Sequence, residues 1–194
     1  MDDGIGGSCG LICRVLQHGS FIHYVSFSFA QKSIQPNTPL NTTENEFYKV
    51  MEFLKIKHFN VYPYEVRIFP SFRQEILELL IDLKNEIKPD VVVMPTMNDY
   101  HQDHKTIAEE GFRAFKDITI LGYEMPRNMI NASPNLFIRM SRQEVFIKMQ
   151  ALDIFESQKW RPNFVKSIIV LNEMRGHQID VKYAESYEVI RWIL

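Results

Sequence analysis

The sequence predicts an α/β fold with a largely parallel sheet, and three observations support this class. Segments with strand and helix patterns alternate along the 194 residues, as they do in folds whose helices cover a parallel sheet. Residues 91–94 (Val-Val-Val-Met) form a short apolar run that is typical of a strand buried on both faces. Ser or Thr followed three residues later by Glu or Gln, a helix-start signature, precedes three of the predicted helices.

Periodicity and end signals place the helices. Residues 10–18 read as a helix that Gly19 closes as its left-handed C′ residue. Three capping boxes are predicted, formed by Thr43 with Glu46, Ser71 with Gln74, and Ser141 with Glu144. Gly176 is expected to end the last helix. The predicted helices after the first are 43–57, 71–87, 103–115, 141–158 and 163–175.

The strands follow from β-branched and aromatic runs between those helices. Residues 21–29 alternate aromatic and small side chains, and residues 61–68 form a strand that Pro63 interrupts. Further strands are predicted at 91–94, 118–123 and 135–140. Ligands of such folds bind at the carboxyl ends of the strands, so the loop after Met94 is the first place to expect chemistry.

That loop reads Asn-Asp-Tyr-His-Gln-Asp-His over residues 98–104. Imidazole and carboxylate groups are natural ligands of a divalent metal such as zinc. A nearby carboxylate can also fix the tautomer of a ligand histidine through its second ring nitrogen. The alternative is that Asp103 only caps the following helix and that His101 and His104 are solvated loop residues.

A second acidic feature, Asp2-Asp3, is followed by glycines at positions 4, 6, 7 and 10. Glycines there would let the backbone turn tightly and approach a ligand closely, although an acidic pair at this place is otherwise read as a frayed terminus. A dinucleotide-binding fingerprint fails, because Cys9 stands where its third glycine should be and no strand precedes it. Cys9 and Cys13 share a helix face and are expected to be core residues rather than zinc ligands.

Composition excludes several classes of protein. A net charge of −2 argues against a basic face for nucleic acid. No apolar run approaches the ~20 residues of a membrane span, and the N-terminus lacks a secretory pattern. Two cysteines cannot make a disulfide framework, so a reduced, cytoplasmic setting is expected. The length predicts one domain over residues 1–194, and a homo-oligomer is compatible with the sequence.

Taken together, the motifs resemble the LmbE-like, or PIG-L type, zinc-dependent N-acetylglucosaminyl deacetylases. That family carries His-Pro-Asp-Asp before a glycine-rich turn and a helix, and His-Pro-Asp-His later in the chain. The counterparts here are residues 1–4 (Met-Asp-Asp-Gly) and residues 101–104 (His-Gln-Asp-His). The resemblance implies a Rossmann-like three-layer fold with a mostly parallel sheet, which here lacks its first strand at the N-terminus.

The resemblance implies roles for the acidic pair and for the last histidine. Asp3 and His104 would ligate Zn²⁺, and another divalent ion would suit the same donors. Asp2 would be the general base that takes a proton from the attacking water. The family's further histidine ligand would stand before Met1, outside the sequence, so this resemblance predicts a native reading frame that starts upstream.

The remaining site residues also come from the resemblance. His101 would stabilise the tetrahedral oxyanion or protonate the leaving amine, and Asp103 would orient it. Tyr100 would add a hydrogen bond to the oxyanion. Arg67 and Glu124 would contact the substrate.

The implied function is a zinc-dependent hydrolase that removes an acetyl group from an N-acetylated sugar, an N-acetylglucosamine-type conjugate. An alternative is a metal-free or inactive binding or scaffolding relative on the same fold, because the first ligand histidine is absent from the chain. A nucleotide-binding α/β enzyme is a third reading, which the failed glycine register disfavours.

Overall fold

The computed structural model describes residues 2–194, which form two compact units. Unit 1 comprises Met1–Val66 and Ile138–Glu185, and unit 2 comprises Arg67–Phe137 and Ser186–Leu194. The α-helices of the described residues are α1 (Asp2–Gln17), α2 (Thr42–Phe53), α3 (Arg73–Ile87), α4 (Gln102–Ala114), α5 (Arg142–Asp153) and α6 (Phe164–His177). The strands are β1 (His23–Ser26), β2 (His58–Val61), β3 (Val91–Pro95), β4 (Thr119–Tyr123), β5 (Leu136–Arg139) and β6 (Ala184–Arg191).

The strands form two sheets. β1 pairs with β2 in parallel, and a four-stranded sheet has the order β3-β4-β6-β5. In that sheet β3 and β4 are parallel, whereas β6 runs antiparallel to β4. The predicted α/β class is confirmed, and β6 adds an antiparallel pairing that the sequence patterns did not predict. The prediction of a missing first strand concerns residues outside 2–194 and stays a prediction.

Helix α1 begins earlier than predicted. The helix includes Asp2 and all four early glycines, so the expectation of a tight glycine turn is wrong. A Cβ on Gly4 would lie 2.7 Å from the Tyr24 hydroxyl, and one on Gly10 would lie 2.7 Å from the Met140 side chain. These glycines therefore allow close packing against α1. Gly19 has a φ of +78° and follows the end of the helix, as predicted.

The predicted capping box of α2 does not form. Asn41 occupies the N-cap position without a side-chain cap bond, and Thr43 lies inside the helix. The Glu46 carboxylate instead accepts hydrogen bonds from the backbone N and the Oγ of Ser157, at 2.7 and 2.6 Å. A buried carboxylate takes the donors that tertiary packing brings to it, and here these lie 111 residues away in sequence.

The other two boxes have opposite outcomes. Ser71 belongs to a short 3-10 helix, and α3 begins after Phe72 with no side-chain cap. The predicted capping box of Ser71 with Gln74 is therefore wrong. Ser141 does cap α5, where its Oγ accepts from the N–H of Glu144 at 3.2 Å and its own N–H donates to the Glu144 carboxylate at 2.6 Å. This reciprocal pair confirms the third box.

Several element boundaries also differ. β1 is shorter than the predicted 21–29. β2 spans His58–Val61 and overlaps the predicted strand 61–68 at Val61 alone, so that prediction is wrong. β3 is the end strand of its sheet, and Val91 and Val93 are 48% and 36% exposed, so burial on both faces is wrong. Gly176 lies inside α6 rather than ending it, and a Cβ there would lie 2.7 Å from the backbone of Lys182.

The core of unit 1 surrounds α1. Cys9 and Cys13 are buried in it, as expected for small core residues. Beside them, the fully buried Lys148 ammonium donates to the Glu185 carboxylate at 2.8 Å. The same carboxylate accepts from the backbone N–H groups of Gly10 and Leu11 at 2.7 and 2.8 Å. These contacts join α1, α5 and β6.

Unit 2 is built by α3 and α4, which pack against each other, and by the β3–β4 pair. Ile76, Leu80 and Leu83 of α3 are buried, and their helical spacing places them on one face of the helix. β3 leads into the segment before α4, which places residues 96–101 at the carboxyl end of this strand. No helix among residues 2–194 has the length and apolar character needed to cross a bilayer.

We expect Lys148→Met to lower the free energy of unfolding by about 3–5 kcal/mol, because it leaves the Glu185 carboxylate buried without its cation. Urea unfolding followed by circular dichroism measures this change. Lys32→Gln is the matched control, since Lys32 pairs with Glu65 at the exposed surface, and it should leave stability unchanged. Wild-type stability in Lys148→Met would show that the buried pair is not stabilising.

Candidate active site

The acidic pair lies in the first turn of α1. Asp2 is buried, and its Oδ2 lies 3.4 Å from Nη1 of Arg161. Burial raises the pKa of Asp2, the neighbouring Asp3 carboxylate raises it further, and the Arg161 guanidinium opposes both. A higher pKa makes a carboxylate a stronger base near neutral pH. Arg161 was not predicted as a site residue, because only tertiary packing brings residue 161 to residue 2.

The second motif spans the start of α4. His101 is the N-cap residue of this helix, and its Nδ1 accepts from the N–H of Asp103 at 3.3 Å. His104 lies in the first turn, and the two imidazole rings have centroids 4.8 Å apart with an interplanar angle of 35°. The prediction that chemistry-bearing side chains follow β3 and open a helix agrees with this placement.

A buried carboxylate that was not predicted as a site residue joins the two histidines. Asp99 Oδ1 accepts from the backbone N–H of His101 at 2.8 Å, and Asp99 Oδ2 lies 2.7 Å from His104 Nδ1. The side chain of Asp99 has no exposed surface. Asn128 Nδ2 approaches Asp99 Oδ2 at 3.4 Å. The polar loop 98–104 signalled Asp99, whereas nothing in the sequence pointed to Asn128.

The Asp103 carboxylate faces a different partner. Its oxygens accept from the backbone N–H groups of Arg67 at 2.5 Å and Phe69 at 3.2 Å. Arg67 has a φ of +75°, a left-handed conformation that is uncommon outside glycine. Gln102 Nε2 adds a bond to the Arg67 carbonyl at 3.3 Å. The start of α4 therefore holds the backbone on which Arg67 is presented, while the N–H of Asp103 contacts His101.

The remaining predicted substrate residues occupy distinct environments in unit 2. Tyr100 is 67% exposed, and its backbone N–H donates to the Asn128 carbonyl at 2.9 Å. Arg67 is exposed. Glu124 is buried at the end of β4 and accepts from Ser186 Oγ at 2.7 Å. His101, Asp103, His104 and the Arg67 backbone thus form one contact network, and Asp2 and Asp3 belong to unit 1.

The His, Cys, Asp and Glu side chains are the possible metal ligands of the described residues. Residues 2–194 contain no group of three or more His, Cys, Asp or Glu side chains placed to hold a metal ion. His104 by itself has the chemistry of a ligand, because a carboxylate on one ring nitrogen leaves the other nitrogen as the donor, a recurring arrangement around protein-bound metals.

Residues 1–115 match the model of the PIG-L family, described as GlcNAc-PI de-N-acetylase. The chain belongs to this family. The match contains both Asp2-Asp3 and the His101–His104 motif, so the predicted resemblance is confirmed.

Relatives of this PIG-L family chain agree in fold. It is 26% identical over 156 residues to the uncharacterized deacetylase YaiS of Escherichia coli K12, covering 77% of this chain and 83% of YaiS. It resembles the conserved protein TT1542 of Thermus thermophilus, with a TM-score of 0.81, 18% identity, and coverage of 100% of this chain and 92% of that one. It also resembles the N,N'-diacetylchitobiose deacetylase of Pyrococcus horikoshii, with a TM-score of 0.79, 18% identity, and coverage of 97% and 80%.

Asp103→Asn should speed hydrogen–deuterium exchange at the amides of Arg67 and Phe69, because one of their two acceptor oxygens is replaced by an amide group. A buried donor left without its acceptor costs about 1–3 kcal/mol, so the free energy of unfolding should fall by a similar amount. Glu109→Gln, a change on the partly exposed side of the same helix, is the control and should leave both amides protected. Equal protection in Asp103→Asn and wild type would contradict this anchoring role.

Proposed function

We propose that this PIG-L family chain is a zinc-dependent hydrolase that removes an acetyl group from an N-acetylated sugar, an N-acetylglucosamine-type conjugate. The observation that carries the proposal is the family match over residues 1–115, which includes both acidic and histidine motifs. The reaction consumes one water and one amide, and it yields acetate and a free amine.

Asp3 and His104 are the proposed zinc ligands. The Asp99 contact to His104 Nδ1 supports the choice of His104, since its Nε2 is then the nitrogen with a lone pair. Zinc, when bound, would lower the pKa of a coordinated water to about 7 and polarise the acyl oxygen. Another divalent ion would suit the same donor types.

The chain's own side chains supply the proton transfers in this proposal. Asp2 acts as the general base that takes a proton from the attacking water, and its raised pKa supports that role. His101 donates to the oxyanion of the tetrahedral intermediate or protonates the leaving amine, at which point the C–N bond breaks. Asp103 orients His101 in this proposal, and its backbone N–H, which donates to His101 Nδ1, supports that role.

Three further side chains are proposed to recognise the substrate. The exposed Tyr100 hydroxyl would add a hydrogen bond to the oxyanion, and one such donor contributes about 3–4 kcal/mol in well-studied acyl-transfer enzymes. Arg67 is exposed on a backbone that Asp103 anchors, which suits a residue that contacts a sugar or its substituent. Glu124 would accept from a sugar hydroxyl.

We expect purified chain supplied with zinc to release acetate from N-acetylglucosamine conjugates, and His104→Ala to abolish the release because a ligand is lost. Acetate is measured by an enzyme-coupled assay and bound zinc by elemental analysis. His18→Ala is the control, since His18 is exposed beyond the end of α1, and it should retain full activity. An absence of release in wild type that binds no zinc would favour the binding or scaffolding alternative.

Asp2→Asn tests the base separately from the metal. An amide side chain cannot accept a proton from water, so kcat should fall by about 10²–10⁴-fold while bound zinc stays at the wild-type level. Steady-state kinetics and elemental analysis on the same sample give both quantities. A wild-type kcat in Asp2→Asn would remove Asp2 from the mechanism.

A further inference from the structure

The two imidazoles at the start of α4 have opposite kinds of hydrogen-bond partner at Nδ1. His104 presents Nδ1 to a carboxylate oxygen of Asp99 at 2.7 Å. His101 presents Nδ1 to the backbone N–H of Asp103 at 3.3 Å. A carboxylate oxygen only accepts, and a backbone N–H only donates. Each Nδ1 therefore faces a partner that demands a different protonation state.

We propose that Asp99 is a positioning residue that holds His104 as the Nδ1–H tautomer, while the N–H of Asp103 holds His101 as the Nε2–H tautomer. Nε2 of His104 then carries a lone pair, whereas Nε2 of His101 carries a proton. The tautomer assignment stands on these contacts alone, and only the identity of the cation at His104 rests on the proposed function.

The surroundings of Asp99 support this assignment. Asn128 Nδ2 lies 3.4 Å from Asp99 Oδ2 and 3.5 Å from His104 Nδ1. Asp99 Oδ2 is an acceptor only 2.7 Å from Nδ1, so this shorter contact requires a proton on Nδ1, and Nδ2 then donates to Asp99. Asp99 Oδ2 then accepts from both His104 and Asn128.

Burial makes the arrangement rigid. The Asp99 side chain has no exposed surface, and that of His104 is 16% exposed. Asp99 Oδ1 is occupied by the His101 N–H at 2.8 Å, so the carboxylate cannot rotate without leaving a buried donor unsatisfied. One side chain therefore fixes both the backbone of His101 and the ring of His104.

The opposite tautomers suit the two chemical roles. A neutral imidazole whose Nδ1–H is held by a carboxylate is the form that ligates a divalent cation, and the carboxylate raises the basicity of the ligand. An imidazole with a proton on Nε2 is a hydrogen-bond donor to a developing oxyanion. Asp99 and the N–H of Asp103 thus make the two histidines different functional groups.

Nitrogen-15 NMR of histidine-labelled protein in chelator, at a pH where the rings are neutral, reads the tautomers directly, with His104→Ala and His101→Ala assigning the signals. We expect a proton on Nδ1 of His104 and on Nε2 of His101. Asp99→Ala should remove the preference of His104 and weaken zinc binding, measured by calorimetry, by about 10–100-fold. Asp99→Asn keeps an acceptor oxygen and should lose less.

Glu110→Gln is the matched control. Glu110 is a fully buried carboxylate of the same helix, and its oxygens bind Arg73 and Arg113 rather than a histidine. The variant should keep both tautomers and the wild-type zinc affinity. A proton on Nε2 of His104 in wild type, or an unchanged tautomer in Asp99→Ala, overturns the proposal. The expected tautomers in a chain that binds no zinc support the role of Asp99 and overturn the proposed metal chemistry instead.

Discussion

Two donors from the beginning of α4 meet on the buried carboxylate of Asp99, one from the backbone of His101 and one from the ring of His104. Because this carboxylate is buried away from water, both of its oxygens must accept hydrogen bonds from protein groups. The contact determines how the segment after β3 enters the helix and which nitrogen the His104 ring presents. The chemistry available to this part of the molecule depends on that one side chain.

Asp103 makes two separate sets of contacts within the four-residue motif 101–104. Its carboxylate reaches away from the histidines to the amides of Arg67 and Phe69, while its backbone N–H serves His101. A left-handed Arg67 is tolerated because the surrounding hydrogen bonds hold it there. Residues 101–104 thus contain the two imidazoles and also the carboxylate that anchors the loop of the exposed Arg67.

Sequence patterns predicted the elements whose ends depend on local chemistry. α4 begins and ends within one residue of its predicted bounds, and Ser141 caps α5 as expected. The patterns failed where a distant partner competes for the same side chain. Glu46 follows the spacing of a capping box, yet it binds Ser157, which lies 111 residues away. The early glycines predicted a turn because the packing partners of Gly4 and Gly10, Tyr24 and Met140, are not visible in a local pattern.

By itself, the sequence determined the α/β class through its periodicity, and the motifs at residues 1–4 and 101–104 carried the resemblance that identified the family. Only the tertiary structure decided which groups those residues contact. Asn128 and the Arg67 backbone become partners through packing between segments, and a buried polar group takes whichever complementary group packing places within about 3 Å. Spacing therefore singled out the candidate site residues, and packing determined which group each imidazole contacts.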